Sequence, residues 1–188
     1  MSELRIYDEK QPARPASVVS DHAAIARALE PFGVVFEAWE ASQRLSEQAA
    51  QDEVIAAYRA DIDRLMKQHG FKSVDVVGMY PAHPQKGAMR EKFLSEHRHD
   101  EYEVRFFVDG AALFYLHTHG KVLAVLCTRG DLISVPAGMT HWFDMGPEPD
   151  FKAIRLFTTP EGWVAHYTGS DIASRFPRYE APHYAVAA

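Results

Sequence analysis

The sequence predicts a mainly β protein in which a helical N-terminal third packs against one small β-barrel or sandwich. From residue 97 onward, short segments rich in β-branched and aromatic residues recur: EVRFFVDG, ALFYLH, KVLAVLC, DLISVP and FKAIRLFT. Between them stand DGA, THGK, TRGD and PAGM, each with the residues of a turn. Upstream, apolar residues recur instead at three- and four-residue intervals. A chain of 188 residues suits one well-buried core and is short for two domains.

Residues 1–20 carry one strand candidate around Leu4 and Ile6, then a proline-containing connection. Asp21 is placed to cap a short helix over HAAIARALE, which Pro31 and Gly33 would end. The strongest helical signal runs from about Ser46 to His69. Val54, Ile55, Tyr58, Ile62, Leu65 and Met66 form one apolar face there, and Gly70 supplies the stop. This helix is expected to bury the barrel rather than bind a partner. A short helix also fits KGAMREKFLSE. The expected division is a single domain over 1–188: strands and helices over about 1–95, a metal-binding barrel core over 96–160, and a tail over 161–188. Past Thr168 that tail, rich in proline and aromatics, is expected to wrap the outside.

Composition removes several function classes. A net charge of −6, with basic residues occurring singly, leaves no electrostatic footprint for nucleic acid. Cys127 is the only cysteine, which excludes a disulfide framework and thiolate-rich metal sites. Its apolar setting, VLAVLC, points to a packed interior rather than a nucleophile. That run is also the longest apolar stretch, far below the ~20 residues of a membrane-spanning helix. The N-terminal MSELRIYDEK does not read as a secretion signal, so a cytoplasmic protein is expected.

The chemistry concentrates in EHRHDEYEVRFFVDG, residues 96–110. His97, His99 and Glu103 stand in H-x-H-x-x-x-E spacing, and a fourth candidate ligand, His141, follows in VPAGMTHW. Positions 97, 99, 103 and 105 are all odd, so an extended strand would project them, Arg105 included, from one face. Three imidazoles and one carboxylate suit a divalent first-row metal such as iron or nickel. A rival pair, His117 and His119, has Leu123 where a carboxylate should follow and abuts the turn at Gly120. Among the aromatics, Phe93, Phe107, Phe143 and Trp142 are by default core residues. One or two could still line a substrate pocket.

HRHDEYEVRFFVDG, closed by Gly110, resembles the first cupin motif, and GDLISVPAGMTHWFDM resembles the second, with Gly130, Pro136, Gly138 and His141 at its intervals. Two positions depart from the pattern. Glu91 stands where a glycine often precedes the first histidine, and Met145 where an asparagine often ends the second motif. Beyond that, FGVVFEAW, DVVGMYPAHPQKGAMREKFLSEHRH, EVRFFVDG and VPAGMTHWFDMG closely resemble the acireductone dioxygenase family of the methionine salvage pathway, over about residues 30–165.

The resemblance implies a cupin-type (jelly-roll) barrel with the N-terminal helical portion packed against it. It also implies a metal held by His97, His99, Glu103 and His141, one Fe2+ or Ni2+ per chain. Arg105 then matches the arginine that stabilises the substrate dianion, and Glu96 an acidic residue tied to metal loading. Position 102, usually acidic in bacterial members, is Tyr102 here. The implied substrate is 1,2-dihydroxy-5-(methylthio)pent-1-en-3-one, cleaved with O2. The iron form gives 4-methylthio-2-oxobutanoate and formate; the nickel form gives 3-methylthiopropanoate, formate and CO. Two rivals are a cupin dioxygenase with another substrate and a non-catalytic metal- or small-molecule-binding cupin module. Without an apolar heptad to bury between subunits, the chain is expected to act as a monomer.

Overall fold

A computed structural model describes residues 1–160 and 164–180. Its strands are β1 (Glu3–Asp8), β2 (Ser17–Val19), β3 (Val35–Ala38), β4 (Ser73–Met79), β5 (His97–Arg98), β6 (Glu103–Thr118), β7 (Lys121–Thr128), β8 (Asp131–Val135), β9 (Thr140–Asp144), β10 (Asp150–Phe157) and β11 (His166–Tyr167). Four α-helices accompany them: α1 (His22–Leu29), α2 (Gln51–Ala57), α3 (Arg59–His69) and α4 (Lys86–Phe93). Among the described residues, no helix is long and apolar enough to cross a membrane.

The long strand β6 organises the molecule. Its first half pairs with β8 and β10, which in turn pair with β3 and β4. Its second half pairs with β7 and β9, continued by β1 and β2 on one side and by β5 and β11 on the other. All these pairings are antiparallel. The sequence led us to expect a chain-reversing turn at DGA; instead β6 runs through it and bends. Gly110 makes the bend possible at φ 62°, where a Cβ would stand 1.9 Å from the Asp150 carbonyl oxygen. The register shift between Lys152 and Ala153 on β10 absorbs the irregularity as a bulge.

Both faces of each half are covered, which is why the strands read as nearly continuous apolar runs rather than alternating ones. Between the halves lies the main core, with Phe107, Phe114, Leu123, Val125, Cys127, Ile133, Phe143 and Phe151. The outer face of the first half, Val104, Phe106, Leu132 and Ile154, is buried by Val54, Tyr58, Ile62 and Leu65 of the helical layer. The outer face of the second half, including Tyr115 and Trp142, is buried by Ile172 and Phe176. The tail therefore contributes to a core instead of only wrapping the surface. The parts of that expectation at 161–163 and 181–188 lie outside the described residues.

Local signals held where the cap chemistry was explicit. Asp21 accepts from the Ala24 amide at the start of α1, and Gly33 and Gly70 take left-handed conformations after the turns they end. The single helix expected over 46–69 is instead two. It begins only at Gln51, after an extended Ala50 (φ −67°, ψ 156°), and the preceding Ser46 and Glu47 carbonyls accept from Lys152 Nζ at 2.8 and 3.2 Å. It breaks at Tyr58 (φ −112°, ψ 20°), whose ring is anchored edge-on to Phe106. The short helix expected over KGAMREKFLSE stops at Phe93, with Leu94 as its cap. Strands β3 and β4, inside the third read as helical, were not anticipated.

Candidate metal centre

The candidate ligands do not share one strand as the odd numbering suggested. His97 lies on β5, the chain turns through 99–102, and Glu103 opens β6. The turn is held by Gly138, whose amide donates to the His99 carbonyl at 2.8 Å. Register does the rest: Tyr167, His97 and His141 stand side by side across β11, β5 and β9. Period two applies only within β6, where Glu103 and Arg105 point inward while Val104 and Phe106 face the helices. His97, His99 and His141, all buried, bring one ligand atom each to within 4.8 Å of one another.

Which ring nitrogen faces the centre is set by the backbone. His97 Nδ1 donates to the Ser95 carbonyl (2.8 Å), His99 Nδ1 to the Val164 carbonyl (2.8 Å) and His141 Nδ1 to the Met139 carbonyl (2.9 Å). A carbonyl oxygen can only accept, so each Nδ1 carries the hydrogen. Each Nε2 is then left with its lone pair, the arrangement that metal-binding imidazoles use.

Glu103 is fully enclosed, and its two oxygens differ. Oε1 accepts from Arg105 Nε and Nη2, both at 2.7 Å. Oε2 faces the imidazoles, 2.8 Å from His141 Nε2 and 3.2 Å from His99 Nε2. The approach to His141 lacks hydrogen-bond geometry. Two lone-pair atoms this close and this buried repel one another unless a cation, proton or metal, sits with them. Donors about 2.1 Å from one ion and at right angles would stand about 3 Å apart. The spacing fits a divalent ion.

Electrostatics favours the ligating forms of His97 and Glu103, whereas in the metal-free site it favours a proton on His99. Burial, reinforced by His141, pushes His97 from 6.5 down to about 4. Burial also penalises charge on Glu103, but Arg105 and then His141 hold its carboxyl well below the usual range. Burial likewise opposes charge on His99, and the facing Glu103 outweighs it and raises that group.

A cavity of ≈ 130 Å³ opens onto the imidazoles, walled by Phe93, Phe143, Ala165 and Tyr167. Phe93 meets Phe143 edge-on, and the Arg105 guanidinium lies 4.5 Å from the Phe143 ring centroid and 5.0 Å from that of Phe114. Of the four aromatics singled out in the sequence, Phe93 and Phe143 line this cavity. Phe107 packs in the main core, and Trp142 stacks on Tyr115 at 4.9 Å on the opposite face. Burial pushes the enclosed Cys127 thiol well above its ordinary range, as expected for an inert interior cysteine.

Glu96 is buried beside His97 but turns away from the ligands: Oε1 meets His117 Nδ1 and Oε2 accepts from Thr168 Oγ1, both at 2.6 Å. Tyr102 faces another cleft, ≈ 270 Å³, shared with Leu65, Phe71 and Leu132 on the far side of β6. That cleft is larger and more apolar but holds no convergent set of donors. Sequence reasoning missed Arg155, which lines the metal cavity opposite Arg105 in the β6–β10 register and is gripped by Asp75 at 2.7 and 2.5 Å. An arginine inside FKAIRLFT was the available signal. Tyr167 and Ala165 carried none.

Comparison with known proteins identifies the family. The ARD/ARD' family model matches residues 3–165. A curated acireductone dioxygenase of Alcanivorax borkumensis is 59% identical over 177 residues, spanning 94% of this chain and 98% of the relative. One of Aquifex aeolicus is 54% identical over 180 residues, spanning 96% and 97%. A solved acireductone dioxygenase from Bacillus anthracis, with a cadmium ion in its active centre, matches with TM-score 0.76 and 29% identity over 89% of this chain and 98% of that one. The mainly β, cupin-type architecture is thus shared with a solved relative. This chain belongs to the ARD/ARD' family.

Proposed function

We infer that this protein is a metal-dependent dioxygenase that cleaves 1,2-dihydroxy-5-(methylthio)pent-1-en-3-one with O2, a step of methionine salvage. The observation that carries this reading is the convergence of three buried imidazoles, each fixed through Nδ1 to a backbone carbonyl, two of which meet Glu103 Oε2 at 2.8 and 3.2 Å. His97, His99, Glu103 and His141 are the proposed ligands of one Fe2+ or Ni2+ per chain. The bound ion would supply Lewis-acid polarisation of the substrate's enediol oxygens.

The chain's own residues do the remainder. Arg105 holds Glu103 by Oε1 and so aims Oε2 at the ligand cluster. Its fixed charge, at the cavity wall, also lowers the cost of an adjacent substrate dianion. Phe93, Phe143 and Tyr167 exclude water and offer apolar surface to the thioether end. Glu96 assists metal loading by supporting the strand that carries His97, since both its oxygens are engaged elsewhere. In this reading the iron form yields 4-methylthio-2-oxobutanoate and formate, and the nickel form 3-methylthiopropanoate, formate and CO. The enzyme works as a cytoplasmic monomer.

The test is to strip the purified protein of metal, reload it anaerobically with iron or nickel, add the acireductone and then admit oxygen. Oxygen uptake with the product set changing by metal is the expected result. No uptake above the metal-free control with either ion would overturn the assignment.

A further inference from the structure

Residues 164–168 cross the mouth of the candidate site as a strap. Its first carbonyl, Val164, is the one that fixes His99 Nδ1, and Ala165 and Tyr167 wall the cavity. Tyr167 pairs with His97 through β11 and β5, their rings 5.7 Å apart. Nothing in this contact set is strong by itself. A two-residue strand pairing with another two-residue strand is marginal without further anchoring.

Thr168 supplies the anchor. Its amide donates to the Glu96 carbonyl at 3.1 Å, and its hydroxyl donates to Glu96 Oε2 at 2.6 Å. Glu96 is buried, and its other oxygen is tied at 2.6 Å to His117, which in turn lies 3.0 Å from Glu9 at the end of β1. The strap is therefore bolted through Glu96 to the rigid second half of the sheet. A charge-assisted hydrogen bond is among the stronger ties available to such a segment.

We propose that Thr168 is a positioning residue: by clamping to Glu96 it seats the strap, so that the Val164 carbonyl holds His99 in its ligating orientation and Tyr167 completes the cavity wall. Seating of the strap and occupation of the metal site are then one coupled equilibrium. Linkage makes the coupling reciprocal, so metal steadies the strap by the same free energy with which the strap strengthens metal binding. The proposal rests on the reading of His99 as a ligand.

The experiment uses the full chain, nickel as probe, and the variants Thr168→Val, which keeps shape but loses the hydroxyl, and Thr168→Ser, which restores it. Nickel affinity is measured by chelator competition, and hydrogen exchange is followed in residues 164–170 with and without nickel. In the unsubstituted protein nickel should slow exchange in the strap. Thr168→Val should bind nickel about tenfold more weakly, as loss of a supporting hydrogen bond typically does, and should lose most of that slowing. Its KM for the acireductone should rise more than its kcat falls, and its nickel-free melting temperature should stay within a few degrees. Thr168→Ser should recover affinity and slowing together. Unchanged nickel affinity in Thr168→Val would overturn the proposal, as would a loss that Thr168→Ser does not recover. If instead His99→Ala binds nickel as tightly as the unsubstituted chain, the ligand reading itself has failed.

Discussion

Residues 97–99 and 117–119 carry the same H-x-H pattern in neighbouring parts of one sheet, yet the fold uses them differently. In the first pair each Nδ1 is spent on a backbone carbonyl, and the Nε2 atoms are left for a common centre. In the second, His117 meets a carboxylate at each nitrogen, Glu96 on one side and Glu9 on the other. His119 sits exposed in the two-residue hairpin at φ 50°, its Nδ1 2.8 Å from Thr118 Oγ1. A histidine's partners, more than its spacing, decide whether a lone pair is available for a metal. The first pair builds a site, and the second braces it.

The contrast is broken most directly by alanine. We expect His99→Ala to lose most bound metal and all dioxygenase activity, because it removes a donor from a closed cluster. His117→Ala should still reach one equivalent of metal at saturating concentration. Elemental analysis beside oxygen uptake checks both, and equal losses would mean that the wrong pair was chosen.

A smaller effect is expected at Arg105, which shares Glu103 with the first pair. Arg105→Ala should lower turnover on the order of a hundredfold, the usual cost of one charged contact to a desolvated oxyanion. It should also lower the melting temperature, since Glu103 Oε1 loses its partner. Lysine should recover only part of the rate, as a point charge cannot reproduce the guanidinium fork. Steady-state kinetics with the bound substrate's anaerobic ultraviolet spectrum would report both roles.

Acid sharpens the comparison further. In the metal-free protein His97 gains its proton only near pH 4, against about 6.5 in an unfolded chain. Between those values the unfolded chain binds more protons at this position, so its contribution favours unfolding as pH falls from about 6.5 towards 4. Proton resonances of the imidazoles would show His97 neutral at pH 6. The smallest effect is expected at His119. His119→Asn suits a left-handed turn position followed by Gly120 and should shift stability by only a few tenths of a kcal/mol, with metal content unchanged. Thermal unfolding checks this.

Much of the molecule is legible in its sequence. Turn chemistry located Gly33, Gly70 and the His119–Gly120 hairpin, because a left-handed backbone is a local demand on residue type. Apolar runs located β6, β7, β8 and β10 but not β9, and the two histidine–glycine motifs named the convergent imidazoles. What failed was non-local. The odd-number argument does not describe the geometry, since a turn at 99–102 separates His97 on β5 from Glu103 on β6, and cross-strand register sets His97 beside His141 instead. The DGA segment looked like a reversal, and only the facing Asp150 backbone makes it a bend.

The sequence by itself determined the residue types that can bind a divalent ion, the mainly β class and the absence of thiolate chemistry, because these depend on side-chain identity and local backbone preference. The tertiary structure alone decided which imidazole nitrogen faces the centre, that Arg155 joins Arg105 at the cavity, and that a strap from beyond β10 fixes His99. Those outcomes rest on hydrogen bonds and register between residues far apart in the chain, such as His99 with Val164 and Glu96 with Thr168. Spacing along one strand carries no information about which distant carbonyl will lie within 3 Å of a ring nitrogen.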